Sequence, residues 1–512
     1  MVLLPGCLVF LGSAVAPILA RAARRDENAF HNKRPAELCG STVLPPPEHA
    51  MITTVSIPPQ TSPPTSPPTS PPISAEPAAH GGPCPRCDAA LTADRRFTAW
   101  CPACDWNLSP GQDGTAAPTR RERAAADRTD RLFEEQAAGG DSPTARRDWL
   151  LASAAAVPIH LVTVGLFFLA LWLLVTGNTV QRCAGAVALV IAVALRPRLG
   201  RLPRENVLDR ASAPALYGLA DRVAAELGAA PVAAIQVTDE FNASYGLVGL
   251  RRRPVLRLGL PLWEVLDDRQ RIALLGHEFG HHVNGDHRRS FWLHSAIVAL
   301  AAWYDMVRPD RPGRRPGDEV SLLIRIGAMV GAVVLRAVAW LLLQGLCLFD
   351  RLTSRAGQQA EYRADALAVR VGGSEAAGGM LSTFLLFGPV CTAVDRIRAE
   401  ERRRPRTVRR GRGRTAEQPE PPKPPAPDLL WERLREHLGS VPATERERLL
   451  RLSARDRVAV DSTHPPTHLR IALVERAEAR PAAVTAAPAE AGAIAAELAA
   501  HRARIAAELL AG

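Results

Sequence analysis

The chain has 512 residues, more than one ordinary domain needs, and its 44 prolines imply that part of it lies outside any packed core. Sixty-three Lys and Arg against 52 Asp and Glu leave a net charge of +11, but lysine occurs only at Lys33 and Lys423, so the excess is arginine scattered along the chain. With aromatics at 5% and no basic patch interleaved with rings, no nucleic-acid partner is expected; nine cysteines are likewise too sparse for a secreted disulfide scaffold.

Residues 1–25 open with an uncharged apolar run followed by Arg21, Arg24 and Arg25. The positive residues come after the run rather than before it, which suits an anchor with its C-terminal side inside, or an extension upstream of the true start, better than a secretory signal. Residues 26–82 are polar and proline-rich, with the repeated Ser-Pro-Pro-Thr of Ser62–Pro72, and predict a disordered, extended spacer. In the segment 83–110, Cys84-x-x-Cys87 and Cys101-x-x-Cys104 stand thirteen residues apart. Each pair makes a knuckle that aims two thiolates at one ion, and four thiolates close a tetrahedron, so the segment reads as a zinc ribbon with a structural Zn²⁺. A thioredoxin-like redox role lacks the βαβ context it would need. Nothing in the ribbon names a partner.

After a polar linker at 111–148, no charge falls between Asp148 and Arg182. Residues 149–195 therefore predict a transmembrane hairpin, the first arm being long enough for the roughly 30 Å hydrocarbon core. Arg146 and Arg147 precede the hairpin and Arg196, Arg198, Arg201 and Arg204 follow it, which places both ends in the cytoplasm. Residues 196–475 form the main domain. Short strands are expected within Val232–Asp239 and Val255–Leu260. Next, Asp267-Asp268-Arg269-Gln270 opens a helical pattern leading into His277-Glu278-Phe279-Gly280-His281-His282.

On a helix, positions i and i+4 share a face, so His277 and His281 can each give a ring nitrogen to one Zn²⁺. Glu278, one residue along, can take a proton from a metal-activated water without occupying a coordination position. His282 is turned about 100° from that face and reads as a bystander. Gly280 lowers helix propensity by roughly 1 kcal/mol against Ala, which implies close approach by another segment. A catalytic zinc keeps three protein ligands, and Glu361 is the candidate for the third; Asp365, one turn later, is placed to fix the orientation of a ligand histidine. The bland alternative for Glu361 is a solvated helix face beside Arg363. Two apolar segments, 291–304 and 322–349, are either further spans or helices on a soluble core, the basic linker Arg308–Arg315 between them being unfavourable outside the cytoplasm. Residues 397–428 read as a disordered Arg/Pro insertion, and 476–512 as an Ala/Glu-rich C-terminal helix without caps.

Taken together, Asn242-Ala243, His277-Glu278-x-x-His281 with Asn284-Gly285-Asp286, Glu361-x-x-x-Asp365, and Ser462-Thr463-His464-Pro465-Pro466 with Arg470 resemble the HtpX-like membrane zinc metallopeptidases, whose relatives include the CAAX prenyl endopeptidases. The resemblance covers roughly Leu150–Val474. It implies a mainly α membrane protein with a gluzincin-like core and a small β-sheet, to which this chain adds the N-terminal zinc ribbon. It further implies Glu361 as third zinc ligand, Asn242 holding substrate main chain at an edge strand, His464 stabilising the oxyanion, and a catalytic domain facing the cytoplasm. Read without the family, His464 before two prolines is equally a rigid loop. The expected activity is hydrolysis of peptide bonds in membrane or misfolded proteins, with one catalytic and one structural Zn²⁺ and the lipid bilayer as surroundings. The alternative is an inert membrane scaffold recruiting partners through the ribbon.

Overall fold

The structure is a computed structural model that describes residues 82–91, 94, 96–110, 120–139, 143–194, 202–249, 251–283, 286–308, 322–403, 427–455 and 464–511. The N-terminal apolar run, nearly all of the proline-rich stretch, Asn284-Gly285, the basic linker beyond Arg308, Ser462-Thr463 and most of the Arg/Pro stretch lie outside those residues. The chain divides into two compact units, residues 37–115 and the remainder.

In the larger unit the polar linker is not all linker: Ala, Arg and Glu, good helix formers, give helix α1 (Arg120–Ala137). The expected hairpin is α2 (Pro143–Thr176) and α3 (Thr179–Ala194), packed on each other and joined through Gly177-Asn178. Strand β1 (Val207–Leu208) and helix α4 (Pro214–Leu227) follow, then β2 (Ala234–Thr238), β3 (Ala243–Val248) and β4 (Arg253–Gly259). Helix α5 (Leu260–Val265) leads to α6 (Asp268–Val283) and α7 (Asp286–Val307), and a single 51-residue helix, α8, runs from Leu322 to Gly372. The remaining helices are α9 (Ser374–Phe384), α10 (Phe387–Arg403), α11 (Pro427–Gly439), α12 (Ala443–Arg455), α13 (Thr467–Arg476), α14 (Pro488–Glu497) and α15 (Ala499–Ala511). Two sequence expectations change here. Helix α10 continues through the first residues of the stretch read as a disordered insertion, burying Ile397, and the Ala/Glu run at the C-terminus is two helices that break at Leu498.

The protein is mostly helical with one four-stranded mixed sheet in the order β1-β2-β4-β3. The two strands read from sequence are its parallel centre, Ile235 opposite Leu256 and Val237 opposite Leu258. The antiparallel β3, pairing Tyr245 with Leu256, forms one edge. Gly259 ends β4 where only glycine fits: a Cβ there would lie 2.0 Å from the Glu240 carbonyl and 2.1 Å from that of Asn242. The Gly259 N–H donates to the Asn242 carbonyl at 2.9 Å, which pins the chain as it enters the edge strand. Leu216 of α4, Ile235, Leu256 and Leu258 of the sheet, Trp263 of α5 and Leu274, Leu275 and Phe279 of α6 are all but inaccessible and form the core.

Among the described residues two helices are long and apolar enough to cross a membrane, Arg146–Thr176 and Met329–Gly372, and the bent pair α9 and α10 makes a third candidate. At 16 residues α3 reaches only about 24 Å, short of the roughly 30 Å hydrocarbon core. Leu161, Phe168, Trp172 and Val175 of α2 and Met329, Val333, Trp340 and Leu341 of α8 are exposed large apolar side chains, a surface of the kind that membrane-crossing helices carry.

Candidate active site

Helix α6 starts at a reciprocal cap. The Gln270 N–H donates to Asp267 Oδ1 at 2.8 Å and the Asp267 N–H to Gln270 Oε1 at 3.3 Å, which fixes the helix entry three turns before the metal-ligand positions. The close approach anticipated at Gly280 is made by α8. A Cβ on Gly280 would sit 3.0 Å from Ala364 Cα, and one on Gly276 would sit 3.1 Å from Ala368 Cα. Small residues on both helices thus let the backbones approach, and Glu361 and Asp365 lie on the same stretch of α8 as Ala364 and Ala368.

His277, Glu278, Glu361 and Asp365 are all buried, whereas the His281 side chain keeps 23% exposure and opens the site on one side. His277 Nε2 and His281 Nε2 lie 3.3 Å apart; Glu361 Oε2 is 3.5 Å from the former and Glu361 Oε1 is 3.5 Å from the latter. Three ligands about 2.0 to 2.1 Å from one tetrahedral ion would stand about 3.3 to 3.4 Å apart, so this donor set fits zinc in both chemistry and spacing. His277 Nδ1 is 3.0 Å from Asp365 Oδ1, and donation of that N–H leaves the Nε2 lone pair facing His281 and Glu361. Two imidazole lone pairs and a carboxylate turned on one another repel unless a cation lies between them. Among the described residues Glu361 Oε2 also accepts no hydrogen bond although it is buried.

Arg470 of α13 supplies the buried positive charge. It donates to Asp365 through Nε at 2.8 Å and through a terminal nitrogen at 2.7 Å, and the latter lies 3.4 Å from Glu361 Oε2. Burial opposes the guanidinium charge, but Asp365, and after it Glu361, hold its pKa above the ordinary arginine value. Breaking such a buried pair by removing one partner typically costs about 3 to 5 kcal/mol. From sequence Arg470 has a place in a motif but no assigned task; a basic residue on an otherwise apolar helix face is the signal that it pairs inside. Burial likewise pushes the Glu278 carboxyl above its usual range, with His277 and His281 pulling the other way.

His464 Nδ1 lies 2.7 Å from Glu361 Oε1, with 43% of its side chain exposed, and the buried Pro465 and Pro466 follow it into α13. Asn242 is exposed and immediately precedes β3. The same strand packs Tyr245 on Phe279 and His282, ring centres 5.0 and 5.1 Å apart, so His282 takes part in an aromatic contact away from the ligand cluster. Burial drives the Tyr245 phenol up to about 12. His160 is likewise a packing residue: its ring lies 4.0 Å from that of Trp292, and its Nε2 is 3.0 Å from the Trp292 carbonyl oxygen.

In the smaller unit the four cysteines converge. Cys84 Sγ is 3.7 Å from Cys104 Sγ and Cys87 Sγ is 3.6 Å from Cys101 Sγ, close to the roughly 3.8 Å edge of a tetrahedron with 2.3 Å zinc–sulfur bonds. Each pair closes in the same way, the Asp88 N–H donating to the Cys84 carbonyl and the Asp105 N–H to the Cys101 carbonyl, both at 2.9 Å. Asp88 and Asp105 both take positive φ, 58° and 55°. Aspartate is among the few residues that enter that region readily.

Residues 216–478, just over half of the chain, match the family model for peptidase family M48. The chain belongs to peptidase family M48. The family is one of zinc metalloproteases, and the matched span contains His277, Glu278, His281, Glu361, Asp365, His464 and Arg470. Comparison with curated proteins and with solved structures finds no match.

Proposed function

We propose that this M48 member is a membrane-embedded zinc metalloendopeptidase with a gluzincin-like core, cleaving membrane or misfolded proteins in quality control. The observation that carries the reading is the buried His277–His281–Glu361 cluster, its ligand atoms within 4.8 Å of one another, with Glu278 beside it on α6.

His277, His281 and Glu361 would hold the ion. Bound zinc supplies Lewis acidity to a scissile carbonyl and to a water. Glu278 takes the water's proton and delivers it to the leaving amine, a task suited by a carboxyl whose burial raises its basicity. Asp365 keeps His277 in the tautomer that presents Nε2, and Arg470 balances the two buried carboxylates. Asn242 stands where an extended substrate would enter along β3, adding its main chain to a free sheet edge. His464 would donate to the developing oxyanion. An inert core would have no chemical use for Glu278, which argues against a pure scaffold. The direct test is metal analysis and casein hydrolysis by the purified chain and by Glu361→Ala. The variant is expected to lose one zinc and its hydrolysis, and unchanged zinc with unchanged cleavage would remove Glu361 from the site.

The four-cysteine unit reads as a zinc ribbon with a structural ion, since four thiolates leave no open position. Cys84→Ser is expected to lower zinc from about two per chain to about one while casein cleavage persists, the two sites being separate three- and four-ligand sets. A wild-type chain carrying one zinc would refute two sites. For topology, the flanking arginines favour cytoplasmic ends of α2 and α3. An impermeant thiol reagent on intact cells is expected to label a cysteine placed at Thr179 and not one at Ala211, judged against the unsubstituted chain. The reverse pattern would put the metal centre outside.

A further inference from the structure

Helix α1 lies upstream of the residues the family model matches, yet it packs on α8 and α13 beside the residues that carry Glu361 and Arg470. Of its side chains whose burial is described, Leu132 at 2% exposure and Phe133 at 5% are the buried ones, the rest being partly or fully exposed. Those two form an apolar cluster with Tyr362 of α8 and Leu469 of α13, flanked by Ala472 and Leu473. The sequence neighbours decide what this cluster controls: Tyr362 follows Glu361, and Leu469 precedes Arg470. The Phe133 and Tyr362 ring centres are 6.5 Å apart. Arg476, two turns beyond Leu469 on the same face of α13, sits over the Phe133 ring at 4.8 Å and reaches Glu134 at 3.8 Å.

The contact of α8 with α6 is set by the glycine and alanine stripe already described. The contact of α8 with α13 has the Arg470 ion pairs within the site and the α1 cluster beside them. We propose that α1 is a positioning element for the metal centre and Phe133 its key residue, setting through Tyr362 and Leu469 the placement of Glu361 and Asp365 relative to Arg470 and the two histidines. A ligand constellation works only when held within about 0.5 Å of its geometry by packed neighbours. Deleting the Phe133 ring leaves a cavity that surrounding side chains fill only in part, by moving. Here the groups free to move carry Glu361 and Arg470. The proposal rests on the reading of His277, His281 and Glu361 as metal ligands.

The test uses the full-length chain in detergent, with Co²⁺ as probe, because thiolate-to-cobalt charge-transfer bands report the cysteine site separately from the histidine–carboxylate site. Phe133→Ala is expected to weaken cobalt and zinc binding at the histidine–carboxylate site by roughly tenfold, the low end of what loss of a supporting residue does to a metal site. The cysteine-site spectrum should not change, kcat for casein should fall with KM little altered, and Phe133→Leu should recover most of the affinity. A Phe133→Ala chain that melts at lower temperature but binds metal and turns over as wild type would make α1 merely structural and overturn the proposal. If Phe133→Ala does not fold, the milder Phe133→Val and Leu132→Val carry the same test with a smaller loss of affinity expected, and wild-type affinity in both refutes it. Failure of the underlying reading looks different: the unsubstituted chain would then bind cobalt at the cysteines alone, or Glu361→Ala would bind as well as wild type.

Discussion

Glu278→Gln is expected to lower peptide hydrolysis by at least ~10²-fold while zinc content stays near that of the unsubstituted chain, since general-base contributions are typically 10²- to 10⁴-fold. The two halves of this expectation come from different atoms. His277, His281 and Glu361 contribute the ligand atoms that stand 3.3 to 3.5 Å apart, and Glu278 contributes none of them. Glutamine preserves shape and burial but has no site that accepts and returns a proton. The exchange is also benign for folding, because a buried carboxylate that is costly to ionise is replaced by a neutral amide. Zinc analysis, thermal melting and casein turnover on one preparation separate the outcomes. Undiminished cleavage would remove Glu278 from the mechanism, and loss of zinc would mean that it ligates.

What the sequence made legible was the part written at short range. His277, Glu278 and His281 are one turn of one helix, and the two C-x-x-C pairs are two tight knuckles, so periodicity and spacing suffice for both. Glu361 and Asp365 were found as a pair on one helix, but the continuity of that helix with the apolar segment 322–349 was not. Charge resumes at Asp350 and Arg351, which ends the hydropathy signal, yet Gln358-Gln359-Ala360-Glu361 are good helix formers and the backbone has no reason to stop. The result is a candidate span and a candidate zinc ligand on a single rod. Strand β3 was missed because a six-residue run with a central glycine has weak alternation, and β1 because two residues give no period at all. Helix α1 buries only Leu132 and Phe133 among its described side chains, too few for a pattern.

Other features are long-range by nature. Helix α4 begins at Ala213, which has no side chain able to cap it, and its first N–H groups are met by Glu497: Ala215 N–H donates to Oε1 at 2.7 Å and Leu216 N–H to Oε2 at 2.9 Å. A carboxylate at that helix end also suits the dipole. The partner is some 280 residues distant, so no window of sequence contains both halves of the cap. The same holds for Glu264, buried between Arg435 at 2.9 Å and Arg502 at 3.3 Å, which ties α11 and α15 to the core next to the site helix. Helices α14 and α15 are thus part of the folded unit that carries the candidate metal centre, although they lie beyond the matched family span.

His464→Ala is expected to keep the fold and to lower kcat by ~10²- to 10³-fold, the loss typical of removing one donor aimed at a developing oxyanion. The geometry sharpens the expectation. His464 Nδ1 stands 2.7 Å from Glu361 Oε1, so with that N–H donated to the carboxylate, Nε2 can donate to an oxyanion only in the imidazolium form. In the proposed mechanism the ring therefore has two separable duties: holding Glu361 through Nδ1, and meeting the reacting carbonyl through Nε2. Its loop is stiff enough for either, since Pro465 and Pro466 are buried and open directly into α13, whose Arg470 is anchored to Asp365. The split between kcat, KM and zinc content distinguishes the duties. A fall in kcat with zinc retained assigns the Nε2 role; a matching loss of zinc assigns His464 to the support of Glu361; and a rise in KM alone would mean uniform substrate binding with no part in the transition state.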